Sequence, residues 1–245
     1  MTTGHTTGEA DSTRPPFDRA AAVTRSLLGY GVLAGAFYLV VGLAQAVTRD
    51  GYDLTRHDLS LLANGPYGWI QIANLILTGL MVIVAAVGVR RAMRPGPAPS
   101  WGPALLAGYG VGLVGAGVFV ADPMQGFPPG TPDGPPAMVS TAGLLHLVFA
   151  AVGFACLVAA CFVFAHRFAR RGRAGWAWYS RATGLVFLAG FAGIASGSDS
   201  PAVVLGFWFA VVVAWAWLAA LCVDRYRATP HPDRQPTAGD DDGRL

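Results

Sequence analysis

Residues 139–165 read VSTAGLLHLVFAAVGFACLVAACFVFA, a run with no Asp, Glu, Lys or Arg. A helix crossing a hydrocarbon layer needs about 20 apolar residues, and this stretch supplies them. It is no strand, because a lone strand leaves its backbone unpaired in lipid and no period-2 alternation appears. Working outward, five further runs are uncharged: 26–48, 59–89, 95–121, 182–198 and 200–223. Hydrophobic residues make up 53% of the 245-residue chain and charged ones 13%, about half the roughly 25% of a soluble protein. The reading is an all-α integral membrane bundle of six transmembrane helices, with span cores near 26–47, 69–89, 101–121, 139–165, 178–196 and 202–223. The membrane domain is set at 25–224. Residues 1–24 and 225–245 mix Thr, Gly, Pro, Asp and Arg with few large apolar side chains, so both are expected to be disordered cytoplasmic tails.

Charge fixes the orientation. All 17 basic residues are Arg. Fifteen of them flank the same side of the six spans, and Arg49 and Arg56 alone lie on the other. Positive flanks stay in the cytoplasm, so a multi-pass protein of the cell membrane with both termini cytoplasmic is expected. The net charge of +3 is spread between spans rather than gathered on one face, which argues against nucleic acid. No apolar stretch precedes Arg25, so the first span is expected to stay as an uncleaved anchor. Cys156, Cys161 and Cys222 fall inside apolar runs, which argues against a disulfide framework or a zinc cluster. Gly31 with Gly35, Gly108 with Gly112, and Gly190 with Gly193 suit close helix packing. Trp69, Trp101, Trp176, Trp178, Trp215 and Trp217 read as an interfacial aromatic belt.

Polar side chains crowd the outer half. The first outer loop reads DGYDLTRHDLSLLANGP over 50–66. Thr55 and Asp58 have the spacing of a helix N-terminal cap, and Asn64-Gly65-Pro66 is a stop. A short interfacial helix is expected, with Leu59, Leu62 and Ala63 on the membrane and Arg56, His57, Asp58 and Ser60 partly free. Gln71, Asn74 and Thr78 form one stripe of the second span and should face the bundle interior. Gln45, Asp122, His146, Ser196, Asp199 and Ser200 complete the outer set, whereas the inner half holds little beyond Tyr30, Tyr109, Ser180 and Thr183. An outward-facing pocket of Arg56, His57, Asp58, Ser60, Gln71, Asn74, Asp122, His146 and Asp199 follows. The plain alternative is that these groups merely solvate a loop.

His146 is the sharpest of them, since a buried imidazole needs a hydrogen bond. It reads first as an interhelical bridge to Asn74 or Gln71. A divalent metal held with His57 and Asp58, Asp122 or Asp199, or a haem between the two histidines, are the functional alternatives. No HxxxH, HExxH or CxxC spacing supports a metal, so metal and cofactor stay open.

The second outer loop, 122–136, is rich in Pro and Gly and should form a stiff, turn-filled cover. Arg56-His57-Asp58-Leu59-Ser60-Leu61-Leu62, then Asp122-Pro123 with Gly126-Phe127-Pro128, then Thr141-Ala142-Gly143-Leu144-Leu145-His146 resemble, in that order, the polytopic bacterial membrane proteins grouped as domain of unknown function family 998. The resemblance spans 25–223. It implies a six-helix membrane bundle, carries no assigned reaction, and weights Arg56, His57, Ser60, Asp122 and His146; it leaves the role of Asp58 open. Three function classes remain, ranked in this order. The first is a module binding a lipid, small molecule or membrane protein partner. The second is an outer-face hydrolase or transferase acting on lipid or envelope precursors, metal-dependent or with His57 or His146 as base and Ser60 as nucleophile. The third is a small transporter, which the apolar inner half disfavours. A reporter active only outside the cytoplasm is expected to be silent when fused after Leu245 and active when inserted near Gly130; an active C-terminal fusion would contradict the orientation.

Overall fold

The uncharged runs become six α-helices in the computed structural model, which describes residues 17–93 and 101–233. They are α1 (Arg19–Thr48), α2 (Gly68–Ala92), α3 (Trp101–Val118), α4 (Thr141–Arg170), α5 (Ala174–Ala195) and α6 (Pro201–Ala228). Five of them, all but α5, are long and apolar enough to cross a membrane. In α5 the first half carries Ser180, Arg181 and Thr183, which dilute its apolar content. The described residues contain no strand, only an isolated bridge between Met124 and Phe127. Each helix packs on its chain neighbours, and α1 closes against α6 to complete a ring. One end of the ring carries Arg25, Arg91, Arg173 and Arg225 and is called here the arginine end. The other carries the α1–α2, α3–α4 and α5–α6 connections and is called the loop end.

Capping sets the helix limits. The Asp18 carboxylate accepts from the Ala21 N–H at 3.0 Å, so α1 starts at Arg19 with three alanines in its first turn. At the other end of the chain, Arg25 donates to the Thr229 carbonyl at 2.9 Å and lies over the Tyr226 ring, while the Asp18 N–H donates to the Pro232 carbonyl. Residues 19–24 and 225–228, expected within disordered tails, are helical, and these contacts dock the start of α1 on the end of α6. The rest of the expected tails, 1–16 and 234–245, lies outside the described residues, as do Arg14, Arg94, Arg234 and Arg244. The arginine end is tied further by Arg173, which donates to Asp224 at 2.6 and 3.1 Å and so holds the start of α5 against the end of α6.

The short helix of the first loop differs from expectation. It is a 3₁₀ helix, Leu59–Ala63, capped by Asp58 rather than Thr55. Leu59, Leu61, Leu62 and Ala63 are all buried. It plugs the loop end instead of lying on the membrane, because α1 offers Gly42 where Leu59 enters: a Cβ there would stand 2.7 Å from Leu59 Cδ2. The tryptophans also divide. Trp69, Trp101 and Trp178 are exposed, as a belt requires, but Trp215 and Trp217 are core residues. Trp217 donates to the Ser180 hydroxyl at 3.0 Å, and Trp215 packs in tilted ring contacts against Tyr38 and Tyr109.

Backbones approach most closely where α2 crosses α3 and α3 crosses α4. A Cβ on Gly110 would meet the Gly79 carbonyl oxygen at 2.7 Å, and one on Gly112 would meet the Gly153 Cα at 2.6 Å. Backbone atoms cannot step aside as a flexible side chain does, so the crossings tolerate no side chain. Gly110→Ala is expected to destabilise the bundle by about 1–3 kcal/mol through overpacking. Gly29→Ala, with nothing within 4 Å of the added carbon, should be neutral or gain up to about 1 kcal/mol of helix propensity. Thermal unfolding of the two variants in detergent checks the pair; equal midpoints would contradict the packing.

Candidate functional site

The loop end is organised by His57, which is 2% exposed. Its Nδ1 accepts from the Asp53 N–H at 2.9 Å, so that nitrogen carries a lone pair. Its Nε2 lies 2.9 Å from the Gln125 carbonyl, an acceptor, so the proton sits on Nε2 and is donated across to the second loop. The tautomer is thereby fixed. The His57 carbonyl accepts from the Tyr52 hydroxyl at 3.1 Å and from Trp208 Nε1–H of α6 at 3.3 Å. Tyr52 and His57 pack against the fully buried Phe127 of the second loop. Around this hub, Thr55 donates from its N–H and its hydroxyl to Asp53, which holds that carboxyl below the ordinary carboxylate range. Arg49 closes the turn by donating to the Leu62 and Asn64 carbonyls at 3.1 and 2.6 Å.

Beneath these loops lies a cavity of about 500 Å³. Its walls are apolar and come from α3, α4, α5 and α6, with Leu113, Phe154, Phe191 and Val211 among them, and Tyr38 and Tyr109 reach it from deeper in the bundle. Tyr38 lies ten residues before the end of α1, roughly 15 Å at 1.5 Å per residue. Leu147 of α4 and Ala195 of α5 line the cavity and are also exposed on the outside of the bundle. The lining also includes the exposed Val139 and Gly197, so the cavity reaches the surface residues of the loop end and of the adjoining turns of α4 and α5.

Four polar groups edge it: Asp58, Ser60, Asp122 and His146. Asp58 Oδ1 accepts from the Ser60 N–H at 3.0 Å and the Ser60 hydroxyl at 2.6 Å. Asp122 Oδ2 accepts from the Ser140 N–H at 2.9 Å, at the start of α4. It sits so close to Gly143 that a Cβ there would be 2.1 Å away. His146 is one turn further down the same face of α4 and is 4% exposed. Its Nδ1 faces two acceptors, the Ala116 and Phe119 carbonyls, each at 2.9 Å, so Nδ1 is protonated and caps the end of α3. Nε2 has no hydrogen-bond partner among the described residues.

Of the nine residues read from the sequence as one pocket, these four share the cavity and five do not line it. His57 is a strut between loops, with both ring nitrogens engaged in hydrogen bonds to Asp53 and Gln125. Arg56 is exposed and pairs with Asp133 of the second loop at 3.0 Å. Gln71 and Asn74 turn to α1 instead. Gln71 Oε1 accepts from Gln45 at 2.9 Å and from Asn74 at 3.1 Å, and Asn74 also donates to the Tyr38 carbonyl. They leave His146 to α3, so its bridge runs to backbone carbonyls and not to either amide. Asp199 is exposed in the α5–α6 connection. Among the described residues no group of three His, Cys, Asp or Glu side chains is placed to hold a metal. What the sequence reading missed is the apolar wall, Phe154, Phe187, Phe191 and Phe207, whose signal is that every Phe of α5 and α6 falls in the loop-end half of its helix.

Comparison with known proteins adds one finding. The family described as "Protein of unknown function (DUF998)" matches residues 32–224, most of the chain, so the chain belongs to that family. No curated protein and no solved structure matches it. His57→Ala is expected to destabilise the loop end by about 1–3 kcal/mol, the cost of leaving buried partners unpaired. It should also raise amide hydrogen exchange in 49–66 and 121–136. Asp133→Asn, which breaks only an exposed ion pair, is expected to cost about 0–1 kcal/mol. Equal effects would contradict the hub.

Proposed function

We propose that this member of the DUF998 family is a six-span protein of the cell membrane, both termini cytoplasmic, that binds the hydrocarbon chain of a membrane amphiphile in the cavity beneath its outer loops. The observation that carries the reading is the apolar cavity, lined by the exposed Leu147 of α4 and Ala195 of α5, with polar groups collected at its loop end. A chain entering from the outer leaflet exchanges lipid for apolar side chains, while its head stays at the level of Asp58, Ser60 and Asp122. The arginine distribution supports the orientation. Ring closure supports a sixth span, since α5 packs between α4 and α6 over its 22 residues. On this reading the membrane domain extends from about 19 to 228, and its partner is a lipid rather than nucleic acid.

The Ser60 hydroxyl is committed to Asp58 rather than to an imidazole, which favours binding over acyl transfer. Tyr109 and Val211 belong to the deep part of the lining, and the fully buried Leu106, Leu218 and Leu221 lie beyond it toward the arginine end. That closure favours binding over transport.

Native mass spectrometry of the purified protein tests the reading. One amphiphile per chain is expected to remain bound, and Ala151→Trp, which fills the cavity from α4, should reduce occupancy at least tenfold while the thermal midpoint holds. Unchanged occupancy in that variant would overturn the cavity as the site.

A further inference from the structure

We infer that the cavity takes an amphiphile carrying an oxygen, as carbonyl or hydroxyl, within its hydrocarbon part, and that the hydroxyls of Tyr38 and Tyr109 receive it. The inference rests on the chain-binding reading above and goes beyond it by assigning a polar group deep along the chain.

Both tyrosines line the cavity, and they are 8% and 5% exposed. They stand on different helices yet at one level. Tyr38 lies ten residues before the end of α1 and Tyr109 nine before the end of α3, roughly 14–15 Å at 1.5 Å per residue. The two rings also share a neighbour, since both contact the Trp215 ring of α6, at centroid distances of 5.3 and 5.8 Å.

Their hydroxyls set them apart. Tyr52 donates to the His57 carbonyl, whereas the hydroxyls of Tyr38 and Tyr109 have no partner among the described residues. Nor are they closed inside the packing. The enclosed side-chain atoms without a partner among the described residues are Gln45 Oε1, Gln71 Nε2 and Thr183 Oγ1. Both phenol oxygens therefore border open space, and the space that these two buried side chains line is the cavity. A phenol is an O–H donor at neutral pH, so the donors are fixed.

Away from the polar edge at the loop end, the other lining side chain with an N–H to give is Trp208, and its indole is engaged by the His57 carbonyl. A plain hydrocarbon chain in the cavity would leave both phenols unpaired and keep water from them. A chain oxygen at their level accepts those hydrogen bonds. The same oxygen against Leu113, Phe154 or Val211 loses its hydration and meets no donor. Depth along the chain is therefore what the site reads.

The test uses the full chain in phosphatidylcholine nanodiscs at pH 7, with native mass spectrometry counting the adducts. Octadecanol, the diol with a second hydroxyl midway along the same chain, the diol with it beside the first, and the mid-chain ketone of octadecanol are titrated separately. The mid-chain diol and the ketone are expected to bind once per chain, about tenfold more tightly than octadecanol or the head diol, the scale of one or two net hydrogen bonds. The ketone only accepts, so its match to the mid-chain diol makes the protein the donor.

Tyr38→Phe combined with Tyr109→Phe keeps both rings on Trp215 and removes the hydroxyls. Octadecanol should bind this double variant as it binds the wild type, which reports that the cavity is intact. The mid-chain compounds should fall to the affinity of octadecanol or below it, because their oxygen then enters an apolar space. The single variants, each expected to lose part of the advantage, carry the same comparison. Mid-chain compounds binding the wild type no more tightly than octadecanol, or an advantage that survives in the double variant, would overturn the oxygen site while leaving chain binding intact. Failure of every compound to bind, in the wild type and in Ala151→Trp alike, would overturn both.

Discussion

The loop end depends on one imidazole held in one protonation state. His57 can join the α1–α2 and α3–α4 loops only as the Nε2–H tautomer, because one ring nitrogen must accept from Asp53 while the other donates to Gln125. With that bond made, Phe127 and Tyr52 close over the ring, Trp208 anchors the turn to α6, and the 3₁₀ helix is pressed into the bundle. The cavity lies beneath this cover, where the helices meet through large aromatic side chains. At the α2–α3 and α3–α4 crossings, paired glycines bring the backbones together instead.

Polar groups in such a bundle must be paired within the protein, since lipid supplies no partners. Most obey. The Gln45–Gln71–Asn74–Thr78 chain ties α1 to α2, and Ser180 takes the Trp217 indole. Three buried atoms do not: Gln45 Oε1, Gln71 Nε2 and Thr183 Oγ1 have no partner among the described residues. His57 is engaged at both ring nitrogens and His146 at Nδ1, and of the two only His146 lines the cavity.

The fold was largely legible in the sequence, because length and absence of charge decide a membrane helix almost alone. The candidate site was legible in part. Asp58, Ser60, Asp122 and His146 stood out as polar groups at one end of apolar runs, and that end is where they meet. Gln71 and Asn74 stood out for the same reason but turn to α1, since a polar stripe does not say which neighbour it faces. The 3₁₀ helix was read as interfacial because Leu59, Leu62 and Ala63 suit a lipid surface and a bundle interior equally well. The deciding residue, Gly42, is on another helix. The cavity wall was illegible, as Phe154, Phe187, Phe191 and Phe207 look the same in sequence whether they fill a core, face lipid or line a chain-sized space.

The central claim is that a hydrocarbon chain lies inside the ring, entered between α4 and α5. Photo-crosslinking with a diazirine placed midway along a lipid acyl chain, followed by peptide mapping, tests it most directly. The account predicts labelling at the cavity residues Phe154, Phe191 and Val211, suppressed in Ala151→Trp. Labelling confined to side chains on the outside of the bundle, such as Leu33 and Val40 of α1, would contradict it.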